Sequence, residues 1–359
     1  MKRSTAIAAG VAATLVLAAG TVAALAARRA GGGPPQQDMV IDAATRADVI
    51  ERAAALLQAR YVDADKGAAL AAELRQRLKA GRYDAITSAE AFARRLSEEL
   101  AALSHDRHME ARYFAEPVPA GDDGGPSAGE REHELFQMRW MNGGVEAVRR
   151  LPGNLGYIEI RSFARPPVAS PRLAAAMALI AETKGLIVDL RRCEGGDPDT
   201  VLQAASYLYD DRTHLNDIYE RYTGTTEQRW TGEVSGPRYG AARKLYVLTS
   251  RDTISGCEDF AYALQANHRA QIVGETTAGA ANGGSPQRLG EHFMMFVPSF
   301  RPINAVTGKD WERVGVAPDH ATSAGKALDV AQAELLHALL AVETDPEAQR
   351  KLRGALDEL

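Results

Sequence analysis

The amino-acid sequence predicts an α/β protein, with a parallel β-sheet and flanking helices in its core and a small helical domain before that core. Two observations lead to this prediction. Apolar residues recur at helical spacing through residues 40–115, whereas short β-branched runs alternate with helical stretches through residues 137–343. Because parallel neighbours need a crossover connection, usually a helix, this alternation favours parallel pairing of the core strands.

Residues 1–37 have the features of a signal peptide or membrane anchor followed by a linker. Lys2 and Arg3 precede an uncharged, alanine-rich stretch over residues 4–27. The stretch is long enough to span a bilayer, but alanine contributes little to insertion, which favours export over permanent anchoring. The folded part is therefore expected outside the cytoplasm, periplasmic or secreted, with membrane association through residues 4–27 left open.

Three helices are predicted within residues 40–115. The pattern VIxxAxxLL begins at Val49, the pattern AALxxxLxxxL begins at Ala68, and a third helix begins at Ser88, a favoured N-cap residue. Together they predict a small helical domain. Residues 116–136 follow, and their Pro, Gly and Asp content is typical of a linker.

The predicted core comprises residues 137–343, and its apolar, β-branched runs are typical of strands buried on both faces. The predicted strands are 156–160, 185–190, 246–249, 271–274 and 293–297, the last of them antiparallel or peripheral. The predicted helices are 171–182, 200–209, one that follows Ser255, and 326–342. Residues 344–359 are rich in charge and are predicted to form a solvated tail.

Composition and charge exclude several classes of protein. The 359 residues allow about two domains once a leader is removed, and 45% hydrophobic with 25% charged residues excludes wholesale disorder. The net charge of -5 comes without a basic patch, so no nucleic-acid partner is expected. The two cysteines, Cys193 and Cys257, form neither a CxxC metal or redox motif nor a disulfide framework.

A serine-bearing turn is the strongest local signal for chemistry. Residues 250–258 read SRDTISGCE and lie between an apolar strand and an amphipathic helix. This arrangement can present the Ser255 hydroxyl at a helix N-terminus, where free backbone N–H groups and the helix dipole favour negative charge. Ser255 is therefore a candidate nucleophile. The alternative is that Ser255 only caps the helix, the commonest role of a serine there.

Two glycines that follow a buried strand could assist Ser255. Gly195 and Gly196 lie beyond the carboxyl end of the strand at 185–190, where ligands bind in open α/β sheets. Without side chains they let backbone N–H groups approach a ligand closely. They could therefore supply an oxyanion donor beside the N–H of Gly256, or form an ordinary turn before a helix.

Histidines and a glutamate could complete a catalytic group. A serine hydroxyl needs a neighbouring base, and His108 or His105, in the segment LSHDRHMEARY, could take its proton. Glu312 could orient that histidine, as the third member of a triad does. The HxxH spacing also suggests zinc, but no cysteine or HExxH pattern supports it, so no metal or other cofactor is expected. The alternative, which is the better interpretation of each residue alone, is that the histidines lie on the surface and that Glu312 is a solvated loop carboxylate.

The segments around His108, Gly195, Ser255 and Glu312, taken together and in this order, resemble the tail-specific, or C-terminal processing, serine peptidase family. The resemblance covers about residues 45–340. They are most similar to its branch with the repeats of interphotoreceptor retinoid-binding protein and, more distantly, the tricorn protease core. The shared motifs are DRH at 106–108, VDLRxxxGG at 188–196, TSRDTISGCEDFAY at 249–262, IVGETTAGAANGG at 272–284 and INxVTGxDWExVGVxPD at 303–319. Each motif alone is weak evidence for the resemblance, but five motifs in the same order and register are strong evidence.

The resemblance implies a crotonase/ClpP-like α/β core and a serine endopeptidase that acts on peptide or protein substrates. Ser255 matches the nucleophile position, with Gly256 as one oxyanion donor and Gly195 or Gly196 as the other. In the Ser–Lys branch of the family, a lysine about twenty-five residues after the serine is the base. Ala280 occupies that position here, and no lysine occurs between Ser255 and Lys309.

The tricorn-like arrangement uses Ser, His and Glu, which implies His108 as base and Glu312 as its orienting partner. The sequence departs from the family at Glu194, which replaces a glycine of the usual NGGG turn and could impair catalysis. Cys193 and Cys257 fall in the two turns expected to flank the site. They could be bonded in an oxidising compartment or stay free. No PDZ-like module occurs before the core.

Two alternatives to a peptidase stay open. The same fold could form a catalytically weak or inactive binding protein for apolar ligands or peptides, which Glu194 mildly favours. A different acyl hydrolase could act on esters or lactams, but the GxSxG elbow is missing and SxxK does not occur at Ser255. The substrate, the cleavage preference and the oligomeric state do not follow from the sequence.

Overall fold

The computed structural model describes residues 37–118 and 128–359, and these ranges contain nine α-helices and eleven strands. The helices are α1 (Ala43–Arg60), α2 (Ala64–Lys79), α3 (Ala89–Ser104), α4 (Ala128–Trp140), α5 (Pro166–Leu179), α6 (Pro198–Ser206), α7 (Gly256–Ala266), α8 (Ala327–Leu340) and α9 (Pro346–Asp357). The strands are β1 (Ala111–Tyr113), β2 (Val145–Leu151), β3 (Leu155–Ile160), β4 (Gly185–Asp189), β5 (His214–Glu220), β6 (Thr225–Trp230), β7 (Lys244–Thr249), β8 (Gln271–Gly274), β9 (Gly283–Arg288), β10 (Phe293–Asn304) and β11 (His320–Ala321).

A six-stranded sheet in the order β11-β8-β7-β4-β3-β2 forms the core. Its neighbours are parallel except for β2, which is antiparallel to β3. The central strand β4 is buried along its length, because Leu186 and Val188 pack against α5, α6 and α7 while Ile187 packs against α8 and α9. The predicted α/β class and the parallel pairing are thus confirmed.

A second, antiparallel sheet joins the helical domain to the core. Its order is β1-β10-β5-β6, with β9 also paired to β10. Phe293 and Met295 of β10 are buried in one cluster with Leu57 of α1 and Phe92 of α3. The strand predicted at 293–297 is therefore antiparallel, as expected. Its packing holds the three predicted N-terminal helices, α1 to α3, against the core.

The linker predicted at 116–136 is wrong in its last part, because α4 begins at Ala128. The overall composition of the segment was misleading, because all of its Pro and Asp residues and every glycine except Gly129 precede Ala128. Leu135 and Met138 give α4 an apolar side that packs on Val168 at the start of α5. The helix therefore forms through tertiary contact that local composition does not show.

The charged tail predicted at 344–359 is also wrong. Residues Pro346–Asp357 form helix α9, in which Leu352 and Ala355 are buried against α8. Asp345 accepts a hydrogen bond from the N–H of Ala348 and caps the helix. Leu352 and Ala355 are three residues apart and therefore lie on the same side of the helix. This one apolar side, within an otherwise charged segment, is enough to pack the helix on the core.

Helix α5 begins at Pro166, five residues before the predicted start near Pro171. Proline at the first helical positions costs nothing, because those N–H groups have no partner within the helix. The predicted leader, residues 1–37, lies outside the described residues except for Gln37. Among the helices that the structure describes, none is both long and apolar enough to cross a membrane.

Candidate active site

Ser255 lies at the start of α7 in a backbone conformation that L residues rarely adopt, with φ 59° and ψ -125°. Strained backbone of this kind concentrates at functional sites. The Ser255 side chain lines a cavity of about 660 Å³. Ser255 therefore occupies the helix N-cap position, as the capping alternative requires, and also faces a cavity large enough for a peptide segment.

The buried carboxylate of Glu258 holds this turn. It accepts hydrogen bonds from the N–H of Ser255 at 2.9 Å, the N–H of Gly279 at 2.7 Å, the N–H of Ala280 at 2.9 Å and the hydroxyl of Thr277 at 2.5 Å. Burial raises the pKa of Glu258, and these donors lower it. The carboxylate thereby fixes the Ser255 backbone to the loop that precedes β9.

Of the two predicted glycines, Gly195 lies directly against Ser255 and Gly196 lies against Phe163. A Cβ atom at Gly195 would fall 2.8 Å from Cβ of Ser255, and one at Gly196 would fall 2.2 Å from the carbonyl oxygen of Phe163. Their φ angles are 96° and 139°, a region that favours glycine. No side chain fits at either position, so the turn packs closely against both Ser255 and Phe163.

The three predicted oxyanion donors differ in their partners. The N–H of Gly195 donates to Sγ of Cys257 at 2.9 Å and is therefore engaged. The N–H groups of Gly196 and Gly256 meet no acceptor within residues 37–118 and 128–359. A Cβ atom at Gly256 would lie 3.2 Å from the nitrogen of Gly196, so these two residues are neighbours. Two backbone donors thus stand unfilled beside Ser255.

The structure joins Cys193 and Cys257 in a disulfide, with Cα atoms 6.0 Å apart. Both residues are fully buried. Cys193 precedes the glycine turn, and Cys257 is the second residue of α7, two positions after Ser255. The disulfide therefore ties the glycine turn to the helix that carries the serine.

His108 and Ser255 line the same cavity, although they are almost 150 residues apart in the sequence. His108 follows α3, and its ring packs against Phe296 of β10 with centroids 5.8 Å apart. Its backbone N–H donates to Oδ1 of Asp106 at 3.0 Å, and that oxygen lies 3.9 Å from Nδ1 of the ring. The imidazole of His108, from the helical domain, thus lies on the same side of the core as the serine.

Asp106 connects the histidine segment to the core. Its carboxylate is fully buried, and Oδ2 accepts hydrogen bonds from the hydroxyl of Tyr61 at 3.2 Å and the side-chain amide of Asn282 at 3.1 Å. Arg313 of the core donates to the carbonyl oxygen of Ser104 at 3.0 Å. Sequence reasoning missed Asp106, although the DRH motif contains it, because the motif was interpreted through its histidine alone.

Glu312 is half-buried and is not among the described residues that line the cavity. Its Oε2 accepts from the N–H groups of Ala281 at 2.8 Å and Asn282 at 3.2 Å. Its Oε1 is buried and has no hydrogen-bond partner among the described residues. Burial, and then repulsion by Asp106, raise the pKa of Glu312 to about 7. Asp106 and Glu312 are therefore near enough to repel each other, and Asp106 is the one beside the ring of His108.

The raised pKa of Glu312 predicts a specific pH dependence of stability. Between pH 4.5 and about 7 the folded protein keeps a proton that the unfolded chain releases. The contribution of Glu312 to the free energy of unfolding is thus fully present below pH 4.5 and lost as pH rises through 7. Relative to Glu312→Gln, the wild-type value should fall by about 3 kcal/mol over this interval.

Urea denaturation of both proteins at a series of pH values measures this difference. Glu98→Gln is the control, because Glu98 is exposed on α3. Its curve should run parallel to that of the wild type. Parallel wild-type and Glu312→Gln curves would show that Glu312 ionises as it does in water.

The second candidate base, His105, does not share this site. It is exposed at the C-terminal end of α3, with φ 56°, and is not among the described residues that line the cavity. Within the described ranges, no three His, Cys, Asp or Glu side chains are grouped to hold a metal ion. The structure therefore groups Ser255 and His108 at one cavity beside the glycine turn, whereas Glu312 is not in the described lining of that cavity.

Comparison with known sequences gives two adjacent family matches. The profile of peptidase family S41 matches residues 154–322, and the profile of the N-terminal domain of peptidase S41 in eukaryotic IRBP matches residues 42–138. Carboxyl-terminal-processing peptidase 2, chloroplastic, from Arabidopsis thaliana is 27% identical over 184 residues. That match covers 47% of this chain and only 33% of the relative.

Solved structures share the fold at low sequence identity. A lipoprotein from Streptococcus agalactiae has a TM-score of 0.55 at 16% identity, with 85% of this chain and 98% of that chain covered. A candidate peptidase from Parabacteroides merdae also has a TM-score of 0.55, at 18% identity, with 82% and 97% covered. At these identities the two structures show a shared fold, and the family matches are to models of a peptidase family.

Proposed function

The chain belongs to peptidase family S41, and on that premise we propose that it is an exported serine endopeptidase that forms an acyl-enzyme on Ser255. One observation carries the proposal. Ser255 and His108, which are 147 residues apart in the sequence, line one cavity of about 660 Å³, and two unfilled backbone donors lie beside the serine. A hydroxyl, a base and an oxyanion site are the three parts that acyl transfer requires.

The chemistry runs in two halves. His108 takes the proton of the Ser255 hydroxyl while Oγ bonds to the scissile carbonyl carbon. The N–H groups of Gly196 and Gly256 stabilise the oxyanion, and His108 then protonates the leaving amine as the C–N bond breaks. In the second half, His108 takes a proton from water, the hydroxide attacks the acyl carbon, and Ser255 recovers its proton as the carboxylic acid leaves.

The donors are Gly196 and Gly256 rather than Gly195. The prediction left Gly195 and Gly196 open as the second donor, and the bond from the Gly195 N–H to Cys257 favours Gly196. Gly195 then supports the turn through that bond. Its lack of a side chain still matters, because a Cβ atom would press on Ser255.

Asp106 and Glu312 would orient His108 and stabilise its cationic form. The sequence predicted Glu312 alone for this role, whereas Asp106 Oδ1 lies 3.9 Å from Nδ1 of His108. A lysine base is not part of the proposal, because Ala280 is fully buried where the Ser–Lys branch has its lysine. In this proposal, the hydrogen-bonded carboxylates of Asp106 and Glu312 hold the ring of His108 in its orientation.

Labelling with a fluorophosphonate tests the proposal directly. The probe phosphonylates an activated serine, and mass spectrometry of peptides from the labelled protein identifies the modified residue. We expect one adduct, on Ser255, and loss of that adduct in the His108→Ala variant. Absence of labelling in a folded protein, or labelling elsewhere, would contradict the assignment.

A binding protein without catalysis is the second candidate, and Glu194 is the observation that favours it. Its side chain lines the same cavity as Ser255, close to the proposed oxyanion site. However, the cavity also has several arginines in its lining, which is unfavourable for an apolar ligand. An unlabelled protein that co-purifies with a lipid would support this candidate over the peptidase.

The Gly196→Ala variant should lower kcat by about 10²–10³-fold, the effect of losing one oxyanion donor. The added Cβ would meet the carbonyl oxygen of Phe163 at 2.2 Å, so the turn must shift and carry its N–H away from Ser255. Steady-state kinetics with a fluorogenic peptide measures the loss. Gly354→Ala is the matched control, because a Cβ at Gly354 has no neighbour within 4 Å. Equal kcat values for both variants would contradict the role of Gly196.

A further inference from the structure

The cavity that contains Ser255 has an excess of positive charge. Its described lining includes five arginines, which are Arg107, Arg112, Arg161, Arg192 and Arg251. Three carboxylates, from Glu110, Glu194 and Asp252, line it as well, so the lining has a net charge of +2. The whole chain has a net charge of -5. The lining of this cavity therefore differs in sign of charge from the chain as a whole, although Glu159 and Glu275 beside it pair with three of the arginines.

Three of these arginines form a row along one edge of the main sheet. Arg161 follows β3, Arg192 follows β4 and Arg251 follows β7, and these strands are consecutive neighbours in the sheet. Neighbouring strands lie about 4.8 Å apart, so the row covers about 10 Å. Ser255 also follows β7, which places the serine at the same edge. We call Arg161, Arg192 and Arg251 the arginine row.

The carboxylates near the arginine row pair with its guanidinium groups but leave two of them largely exposed. Arg161 and Arg192 share one partner, Glu159, which is 3.7 Å from Nη1 of Arg161 and closer to Arg192. Nη1 of Arg161 is buried and has no hydrogen-bond partner within the described ranges. Arg251 is 3.4 Å from Glu275. The side chains of Arg192 and Arg251 are 63% and 79% exposed, so both remain accessible to a ligand.

We propose that the arginine row selects acidic peptide segments, with two or more Asp or Glu side chains close to the scissile bond. Guanidinium groups bind carboxylates through paired, charge-assisted hydrogen bonds. A row of about 10 Å matches about three residues of an extended peptide, at about 3.3 Å per residue. The proposal rests on the proposed function for the position of the scissile bond, and it deepens that function by naming a substrate class.

Binding to the Ser255→Ala variant tests the proposal separately from catalysis. Three fluorescent peptides of equal length are compared, identical except for a central pair of Glu, Gln or Lys residues. Fluorescence anisotropy should give a Kd about tenfold lower for the Glu peptide than for the Gln peptide, and weaker binding for the Lys peptide. The preference should shrink at 0.5 M salt, because salt screens exposed charges. Equal Kd values for the Glu and Gln peptides would overturn the proposal.

Variants of the arginine row locate the preference. Arg192→Gln and Arg251→Gln should each reduce the ratio of the Gln-peptide Kd to the Glu-peptide Kd, and Glu194→Gln should increase it. Arg350→Gln, on the exposed side of α9, makes the same change in net charge and is the matched control. A ratio that follows net charge alone, so that Arg350→Gln acts like Arg192→Gln, would contradict the arginine row.

The outcomes separate this inference from the proposed function. A fluorophosphonate adduct on Ser255 together with equal Kd values would leave the peptidase intact and overturn the acidic preference. Absence of an adduct together with a strong preference for the Glu peptide would overturn the peptidase and support an acidic-peptide binding site.

Discussion

Replacing Ser255 by alanine is expected to lower kcat by about 10⁴-fold or more and to abolish fluorophosphonate labelling. The change removes the only atom that can bond to the acyl carbon in the proposed mechanism, while the Gly196 and Gly256 donors remain. The fold should survive, because Glu258 holds the turn through the backbone N–H of residue 255 rather than through its side chain. Steady-state kinetics and thermal unfolding measure the two effects.

His108→Ala and the double variant make this prediction stricter. If Ser255 and His108 act as one unit, the double variant should lose no more activity than the Ser255→Ala variant alone. Additive losses would show that the two residues act independently, although they line one cavity. A Ser255→Ala protein with wild-type kcat would remove the proposed chemistry altogether.

The fold could be predicted because its strongest signals are local. The apolar run that becomes β4 contains side chains for both faces of the sheet, and the turn at Ser255 joins a buried strand to an amphipathic helix. Helix α9 could not be predicted, because its buried side comprises few residues in a charged segment. Helix α4 could not be predicted either, because its apolar side has meaning only against α5.

The candidate site was predictable only where its residues belong to a motif. Ser255, His108, Glu312 and the glycines all lie in such motifs. The buried position of Glu312 beside Asp106 depends on how the helical domain packs on the core, which short motifs do not encode. The arginine row was invisible for the same reason, because each arginine alone looks like an ordinary loop cation until β3, β4 and β7 are known to be neighbours.

The disulfide offers the second large effect, on stability and catalysis together. Cys193 and Cys257 close a loop with a sequence separation of 64, and removing such a cross-link should lower the free energy of unfolding by about 4 kcal/mol in the chain-entropy account. The Cys193→Ala/Cys257→Ala variant also loses the sulfur that accepts the N–H of Gly195. The glycine turn is then held less firmly against Ser255, and kcat should fall by about 10²-fold.

The balance between kcat and KM distinguishes this positioning role from a purely structural one. The disulfide is fully buried and does not belong to the described lining of the cavity, so KM for a short peptide should change little. Urea denaturation measures the stability loss, and kinetics well below the unfolding transition measures kcat on folded protein. A variant that loses stability but keeps wild-type kcat would show that the disulfide only stabilises the fold. Loss of kcat at unchanged KM would show that the bond sets the distance between the oxyanion donors and the nucleophile.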